Sequence, residues 1–167
     1  MTNPLYSTLF AALAARESVL MHLPGGDTMS GRAFHDMIAQ AANALLAAGV
    51  QPGDRVAVQV AKSPHALAVY AATVSVGAVF LPLNTAYMPD EVGYFLGNAS
   101  PRLFLCNTAR QALLAPVAAA NSAALMTLDG AGQGSFADDM AGRTNSFAAV
   151  PRKGSDLAAI LYTSGTT

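Results

Sequence analysis

The residues best suited to binding a ligand form the string T-S-G-T-T, directly after an apolar run at positions 157–162. They are Thr163, Ser164, Gly165, Thr166 and Thr167. Small side chains leave consecutive backbone N–H groups accessible, hydroxyl groups add donors, and a glycine lets the backbone approach a ligand closely. Such a loop can surround the phosphate oxygens of a nucleotide. On composition alone an ordinary turn is the commoner interpretation, and both readings stay open at this point.

Other chemical motifs are weak or absent in the sequence. The phosphate-binding pattern G-x-x-x-x-G-K-[ST] does not occur, and no G-x-G-x-x-G follows the first predicted strand. His22, His35 and His65 have no metal-binding spacing, so we expect them to be solvated or packed at the surface. The adjacent acids Asp138 and Asp139 are typical of a solvated loop. We therefore predict no metal site.

Strands and helices alternate along the chain. We predict helices beginning at the caps Ser30 and Ser63, at Pro89 and at Ala109, with Gly49 and Gly77 ending the first two. The predicted strands are short apolar runs, at 56–60, 78–83, 102–106, 124–128 and 157–162. Residues 130–156 are rich in Gly, Ser, Asp and Asn, and we expect a surface excursion there. This order predicts an α/β fold whose βαβ units form a mostly parallel sheet covered by helices.

Two polar loops follow predicted strands, N-T-A-Y at 84–87 and T-S-G-T-T at 163–167. Ligands of open parallel sheets bind beyond the carboxyl ends of the strands, so both loops would lie at the ligand-binding edge. For Asn84, Thr85 and Tyr87 a structural turn is the favoured interpretation over contact with a ligand.

Composition excludes several function classes. The nine Lys and Arg residues are dispersed and the formal net charge is −1, so there is no basic stripe for nucleic acid. The single cysteine, Cys106, permits no internal disulfide, fits a reducing cytoplasm and is predicted to be a buried strand thiol. Residues 66–83 carry no charge, but Gly77 and Pro82 interrupt them, and we predict no membrane span. The N-terminus lacks the basic region of a signal peptide.

Three strings carry a resemblance to a known family. L-Y-T-S-G-T-T resembles the opening of the phosphate-binding loop of the adenylate-forming superfamily, which comprises acyl-CoA synthetases, luciferases and adenylation domains. V-G-A-V-F-L-P-L-N-T-A-Y resembles an upstream core motif of the same superfamily. The longer stretch from Gly49 to Tyr87 is most similar to malonyl-CoA synthetases. The resemblance extends from about Ser30 to Thr167 and is weaker at 120–150.

The resemblance implies that residues 1–167 are an incomplete N-terminal AMP-binding domain, cut within its phosphate-binding loop. It further implies a two-step ligase, which adenylates a small carboxylic acid, malonate in the nearest relatives, and transfers the acyl group to CoA. ATP, Mg²⁺ and CoA would take part, and Thr163, Ser164, Gly165, Thr166 and Thr167 would cradle the ATP phosphates. The family's lysines, acidic metal motif and C-terminal domain have no counterpart here, so no catalytic or metal-binding residue is assigned.

Two further expectations follow from that resemblance. The remainder of its own chain would be a partner of these residues, and we expect residues 1–167 alone to lack ligase activity. The alternative from another class is a non-catalytic βαβ module that binds a nucleotide or a partner, because nothing in this sequence itself performs chemistry.

Overall fold

The computed structural model describes residues 2–163. Its six helices and six strands occur in an order that alternates after the first thirty residues: α1 Pro4–Leu9, β1 Val19–His22, β2 Thr28–Ser30, α2 Gly31–Ala47, β3 Arg55–Gln59, α3 Pro64–Ser75, β4 Val79–Pro82, α4 Pro89–Ala99, β5 Leu103–Cys106, α5 Gln111–Ala120, β6 Ala124–Thr127 and α6 Ser135–Ala141. Short 3₁₀ helices at Ala11–Ala15 and Thr108–Arg110 complete the regular structure of this part of the chain.

The central sheet has four strands in the order β4-β3-β5-β6, and all its pairs are parallel. The predicted parallel sheet is therefore confirmed. A separate antiparallel pair, β1 and β2, precedes α2. The strand order reverses between β3 and β5, which is the point where open sheets of this type bind their ligands.

The helices begin and end at the predicted signals. The side-chain oxygens of Ser30 and Ser63 accept hydrogen bonds from Ala33 N and Ala66 N, which cap α2 and α3. Gly49 and Gly77 adopt φ angles of 82° and 75°, a left-handed conformation that glycine tolerates best, just after these two helices. Local chemistry thus determines where both helices stop.

Two layers of helices cover the sheet. The α2–α3 face packs α2, α3 and α6 against the strand residues Val56, Val58, Leu103 and Leu105. The α4–α5 face packs α4 and α5 against the alternate strand residues, among them Ala57, Leu81, Phe104 and Cys106. Cys106 is buried as predicted. No helix among residues 2–163 is long and apolar enough to span a membrane, and residues 66–83 divide into α3 and β4.

The expected surface excursion at 130–156 is wrong in part. Residues Ser135–Ala141 form α6, whose Phe136 and Met140 are buried against the α2–α3 face. Asp138 and Asp139 therefore lie on a helix rather than in a loop, and Asp139 forms an ion pair with Arg143 at 2.6 Å. Two apolar side chains four residues apart provide enough buried surface to order this seven-residue helix.

The prediction of a final strand at 157–162 is also wrong. The segment runs parallel to β4 and makes one bridge, in which Phe80 N donates to Ala158 O and Ile160 N donates to Phe80 O, both at 2.9 Å. Leu157 and Leu161 are 66% and 70% exposed, so the run is not buried on both faces. Among the described residues it has one neighbouring strand, β4, and this bridge is the pairing between them.

Candidate functional site: the carboxyl edge of the parallel sheet

The 84–87 loop and Thr163, the first residue of the second loop singled out in the sequence, follow neighbouring segments of the sheet. Residues 84–87 follow β4, and the segment at 158–160 extends the sheet beside β4 in the parallel direction. Because parallel strands end at one edge, Tyr162 and Thr163 emerge next to residues 84–87. Of the predicted phosphate-binding residues, the structure describes Thr163, which is exposed. Ser164, Gly165, Thr166 and Thr167 lie outside the described residues.

Residues 84–87 (the 84–87 turn) are held by two side chains, Gln59 on β3 and Arg110 on the 3₁₀ helix after β5. The Gln59 Nε2 group at the end of β3 donates to Asn84 O at 2.8 Å and to Tyr87 O at 3.2 Å. The Arg110 guanidinium, which follows β5, donates from Nη1 to Thr85 O at 2.8 Å and from Nη2 to Tyr87 O at 2.9 Å. Three carbonyls of one short turn thereby accept hydrogen bonds from two side chains on different elements.

The turn's own side chains support the same geometry. Asn84 Oδ1 accepts from Ala86 N at 2.9 Å, a local pattern typical of turns. The next helix, α4, begins with Pro89, and Glu91 Oε2 accepts from Met88 N at 2.8 Å, which caps its first turn. These contacts agree with the structural interpretation favoured for Asn84, Thr85 and Tyr87.

An aromatic stack joins the 84–87 turn to the residue before Thr163. The ring centroids of Tyr87 and Phe95 are 5.0 Å apart, and those of Phe95 and Tyr162 are 4.6 Å apart. Tyr162 Oη also donates to Asn98 Oδ1 on α4. Aromatic pairs at these separations contribute about 0.5–1.5 kcal/mol each beyond the surface they bury. The position of Tyr162 therefore depends on the 84–87 turn and on α4.

Gln59 is the functional candidate that the sequence analysis missed. It is 1% exposed, and its Oε1 atom has no hydrogen-bond partner among the described residues. It pairs in register with Cys106 on β5, at the point where the strand order reverses. A glutamine within the otherwise apolar run V-A-V-Q-V at 56–60 was the available signal, because a buried polar side chain needs a hydrogen-bond partner.

The remaining titratable groups do not assemble a second chemical centre within residues 2–163. Burial raises the pKa of the Cys106 thiol to about 11, against a smaller lowering by Arg110, so it is not a nucleophile near neutral pH. Burial lowers the pKa of His35 and of His65, while Asp36 and Asp129 respectively act in the opposite direction. The described part of the chain contains no group of three or more His, Cys, Asp or Glu side chains that could hold a metal ion.

Similarity to known proteins covers nearly the whole chain. Residues 11–167 match the AMP-binding enzyme family. Apo MatB from Rhodopseudomonas palustris superposes with a TM-score of 0.94 at 41% identity, over 100% of this chain and 33% of MatB. The ATP-bound form of MatB from the same organism superposes with a TM-score of 0.94 at 42% identity, again over 100% of this chain and 33% of MatB. This similarity confirms the α/β fold predicted from the element order.

The curated relatives are larger still. Bacitracin synthase 3 of Bacillus licheniformis is 32% identical over 140 residues, which are 84% of this chain and 2% of the synthase. The chain thus spans 33% of the length of MatB and a far smaller part of the synthase.

Proposed function

The chain belongs to the AMP-binding enzyme family, and on that premise we propose that it is the N-terminal part of an ATP-dependent acid–CoA ligase. The observation that carries this proposal is the string T-S-G-T-T, which directly follows a segment that pairs in parallel with β4. Sheets of this type bind ligands beyond the carboxyl ends of their strands. Glycine and hydroxyl residues at such an edge suit the phosphates of ATP.

The proposed reaction has two steps. A carboxylate oxygen of the acid attacks the α-phosphorus of ATP, the bond from that phosphorus to the β-phosphate oxygen breaks, and pyrophosphate leaves. The sulfur of CoA then attacks the acyl carbonyl carbon, the thiol proton is released, and AMP leaves as the thioester forms. In the first step, Thr163, Ser164, Gly165, Thr166 and Thr167 would donate hydrogen bonds to the phosphates and so stabilise the charge on pyrophosphate.

We propose malonate as the acid. Support comes from the resemblance between residues 49–87 and malonyl-CoA synthetases, together with 41% identity to MatB. CoA as the acceptor and Mg²⁺ as the ion that accompanies ATP are parts of the same proposal. The described residues offer no cluster of metal ligands, so we assign no Mg²⁺ ligand in this part of the chain. A cytoplasmic location stays a prediction from the single unpaired cysteine.

The proposal is tested by pyrophosphate release from the full-length protein with ATP and CoA. Malonate, acetate, benzoate and a long-chain fatty acid are each supplied as the acid. We expect the highest kcat/KM with malonate and AMP formation in equal amounts. A preference for another acid would overturn the malonate assignment and leave the ligase proposal intact. Nucleotide binding without pyrophosphate release with any acid would favour the non-catalytic binding module.

A further inference from the structure

We propose that Gln59 and Arg110 are positioning residues that set where the phosphate-binding loop begins, acting through the 84–87 turn. This inference rests on the proposed function, because it assumes that residues 163–167 hold ATP phosphates. Neither side chain is required to touch the nucleotide. Each donates to backbone carbonyls of the turn, over distances of 2.8–3.2 Å.

The first step is that the turn has little to hold it apart from these two side chains. Asn84, Thr85 and Ala86 are exposed, so the turn packs little apolar surface of its own. Within it, Tyr87 N donates to Asn84 O at 3.1 Å, and Asn84 Oδ1 accepts from Ala86 N. Gln59 and Arg110 are the two side chains that connect the turn to β3 and to the residues after β5. Both converge on a single atom, Tyr87 O.

The second step is that Tyr87 connects the 84–87 turn to Tyr162 through the ring of Phe95. Its ring packs against Phe95, whose ring also contacts those of Tyr162 and Tyr94. Tyr162 directly precedes Thr163 in the chain, so a displacement of the Tyr162 backbone displaces the start of the loop. Donors aimed at phosphate oxygens lose their effect when they move by a fraction of an ångström from the required geometry.

The third step concerns the chemistry of the two residues. Gln59 is buried at the reversal of strand order, and one side of its amide has no partner among residues 2–163. If Gln59 served packing alone, an apolar side chain would fill the same space without burying an amide. The amide's contribution in this structure is its pair of bonds to the turn. Arg110 supplies a planar fork that reaches two carbonyls at once, which a lysine ammonium does not reproduce.

The test uses the full-length protein with the substitutions Gln59→Met, Arg110→Met and Arg110→Lys. Gln40→Met is the matched control, because Gln40 Nε2 also donates to a backbone carbonyl, Arg143 O, but Gln40 lies on α2 and not beside the 84–87 turn. The dissociation constant for ATP is measured by calorimetry, and KM and kcat are measured for ATP and for the acid. Thermal unfolding of each variant shows how much of any effect is due to stability.

We expect ATP affinity to fall roughly three- to tenfold in Gln59→Met and Arg110→Met, with KM for ATP rising by the same factor. Arg110→Lys should fall between Arg110→Met and the wild type, and Gln40→Met should bind ATP as the wild type does. KM for the acid should not change. Equal ATP affinity in wild type, Gln59→Met and Arg110→Met would overturn the inference, as would parallel rises in both KM values.

The calorimetric arm separates this inference from the proposed function. A wild-type protein that binds ATP but joins no acid to CoA would contradict the ligase proposal, while the affinities of the variants would still decide the role of Gln59 and Arg110. A wild-type protein that does not bind ATP would overturn both.

Discussion

The two faces of the sheet are packed by different means. On the α2–α3 face, α2 and α3 pack closely because their contact contains fully buried alanines: Ala41, Ala42, Ala44, Ala68, Ala71 and Ala72. On the α4–α5 face, leucines such as Leu96 and Leu114 fill the core, and the layer ends at the carboxyl edge in the stack of Tyr87, Phe95 and Tyr162. The aromatic residues beside the candidate site thus belong to the α4–α5 face and not to the α2–α3 face. Substitutions on the two faces should therefore have different consequences.

The largest effect is expected from Phe136→Ala on the α2–α3 face. Phe136 is 0% exposed, and removing a buried phenylalanine side chain costs about 3–5 kcal/mol of unfolding free energy. Denaturant unfolding of the full-length protein measures this loss, with Leu113→Ala, which is 53% exposed, as the control. The protein that remains folded should keep its KM for ATP. A raised KM would mean that this face also determines the site.

A smaller effect, of a different kind, is expected from Phe95→Ala on the α4–α5 face. The substitution removes the ring between Tyr87 and Tyr162, so the start of the phosphate-binding loop should lose its fixed position. We expect KM for ATP to rise by up to about tenfold, the equivalent of one strong aromatic pair. Tyr94→Ala is the control, since Tyr94 is 66% exposed and its described ring contact is with Phe95 alone. The same rise in both variants would contradict the stack's role.

A third prediction concerns acid stability on the α2–α3 face. Tyr6 Oη and His35 Nε2 are 2.8 Å apart, and burial lowers the pKa of His35, an effect that Arg32 reinforces and Asp36 opposes. The folded state therefore favours the neutral imidazole, and stability is present above the ordinary histidine pKa and lost as the pH falls below it. Burial acts on His65 in the same direction.

The corresponding measurement is unfolding free energy at pH 7.5 and pH 5.0 for wild type and His35→Gln. The glutamine retains a hydrogen-bond acceptor and does not titrate. We expect the wild type to lose more unfolding free energy than His35→Gln on acidification, because only the wild type gains a charge at this partly buried position. An identical pH dependence in the two proteins would exclude His35 as a contributor.

The smallest effect near neutral pH is expected at Cys106 on the α4–α5 face. Because burial raises the pKa of this thiol to about 11, from a reference of 9.0, the folded state holds its proton longer than the unfolded state. Stability is then full below pH 9.0 and decreases towards pH 11. Cys106→Ala should flatten this alkaline decrease in an unfolding series, while the small cavity left by the buried sulfur lowers stability by the same amount at every pH. A slope equal to that of the wild type would contradict it.

Sequence patterns predicted those parts of the fold that local chemistry determines. Serine caps, the glycines after α2 and α3, and the apolar runs of β3 to β6 are short-range signals, and the structure agrees with them. The helix α6 was missed because only Phe136 and Met140 distinguish it from a loop. No element was predicted before Ser30, although α1 and the β1–β2 pair lie there. The run at 157–162 was predicted as a strand from its apolar composition, which does not report how much of a segment pairs with its neighbour.

The site was predictable to a different degree. The string at residues 163–167 is visible in the sequence as a candidate site, and its phosphate-binding role stays a prediction. The hydrogen bonds from Gln59 and Arg110 to the 84–87 turn could not be predicted, because the two residues lie 25 and 23 positions along the chain from carbonyls that they bind. Such contacts are created by the register of parallel strands, which no local pattern specifies.

The most direct test of the account is ATP binding by the full-length protein after Thr166→Val and Thr167→Val, with Thr85→Val as the control at the same edge. Each loop variant removes one hydroxyl donor to a charged phosphate, a contact that contributes about 1.5–3 kcal/mol, so we expect affinity to fall roughly ten- to a hundredfold. Thr85→Val should bind ATP as the wild type does. Unchanged affinity in both loop variants would contradict the assignment of these hydroxyl groups to the ATP phosphates.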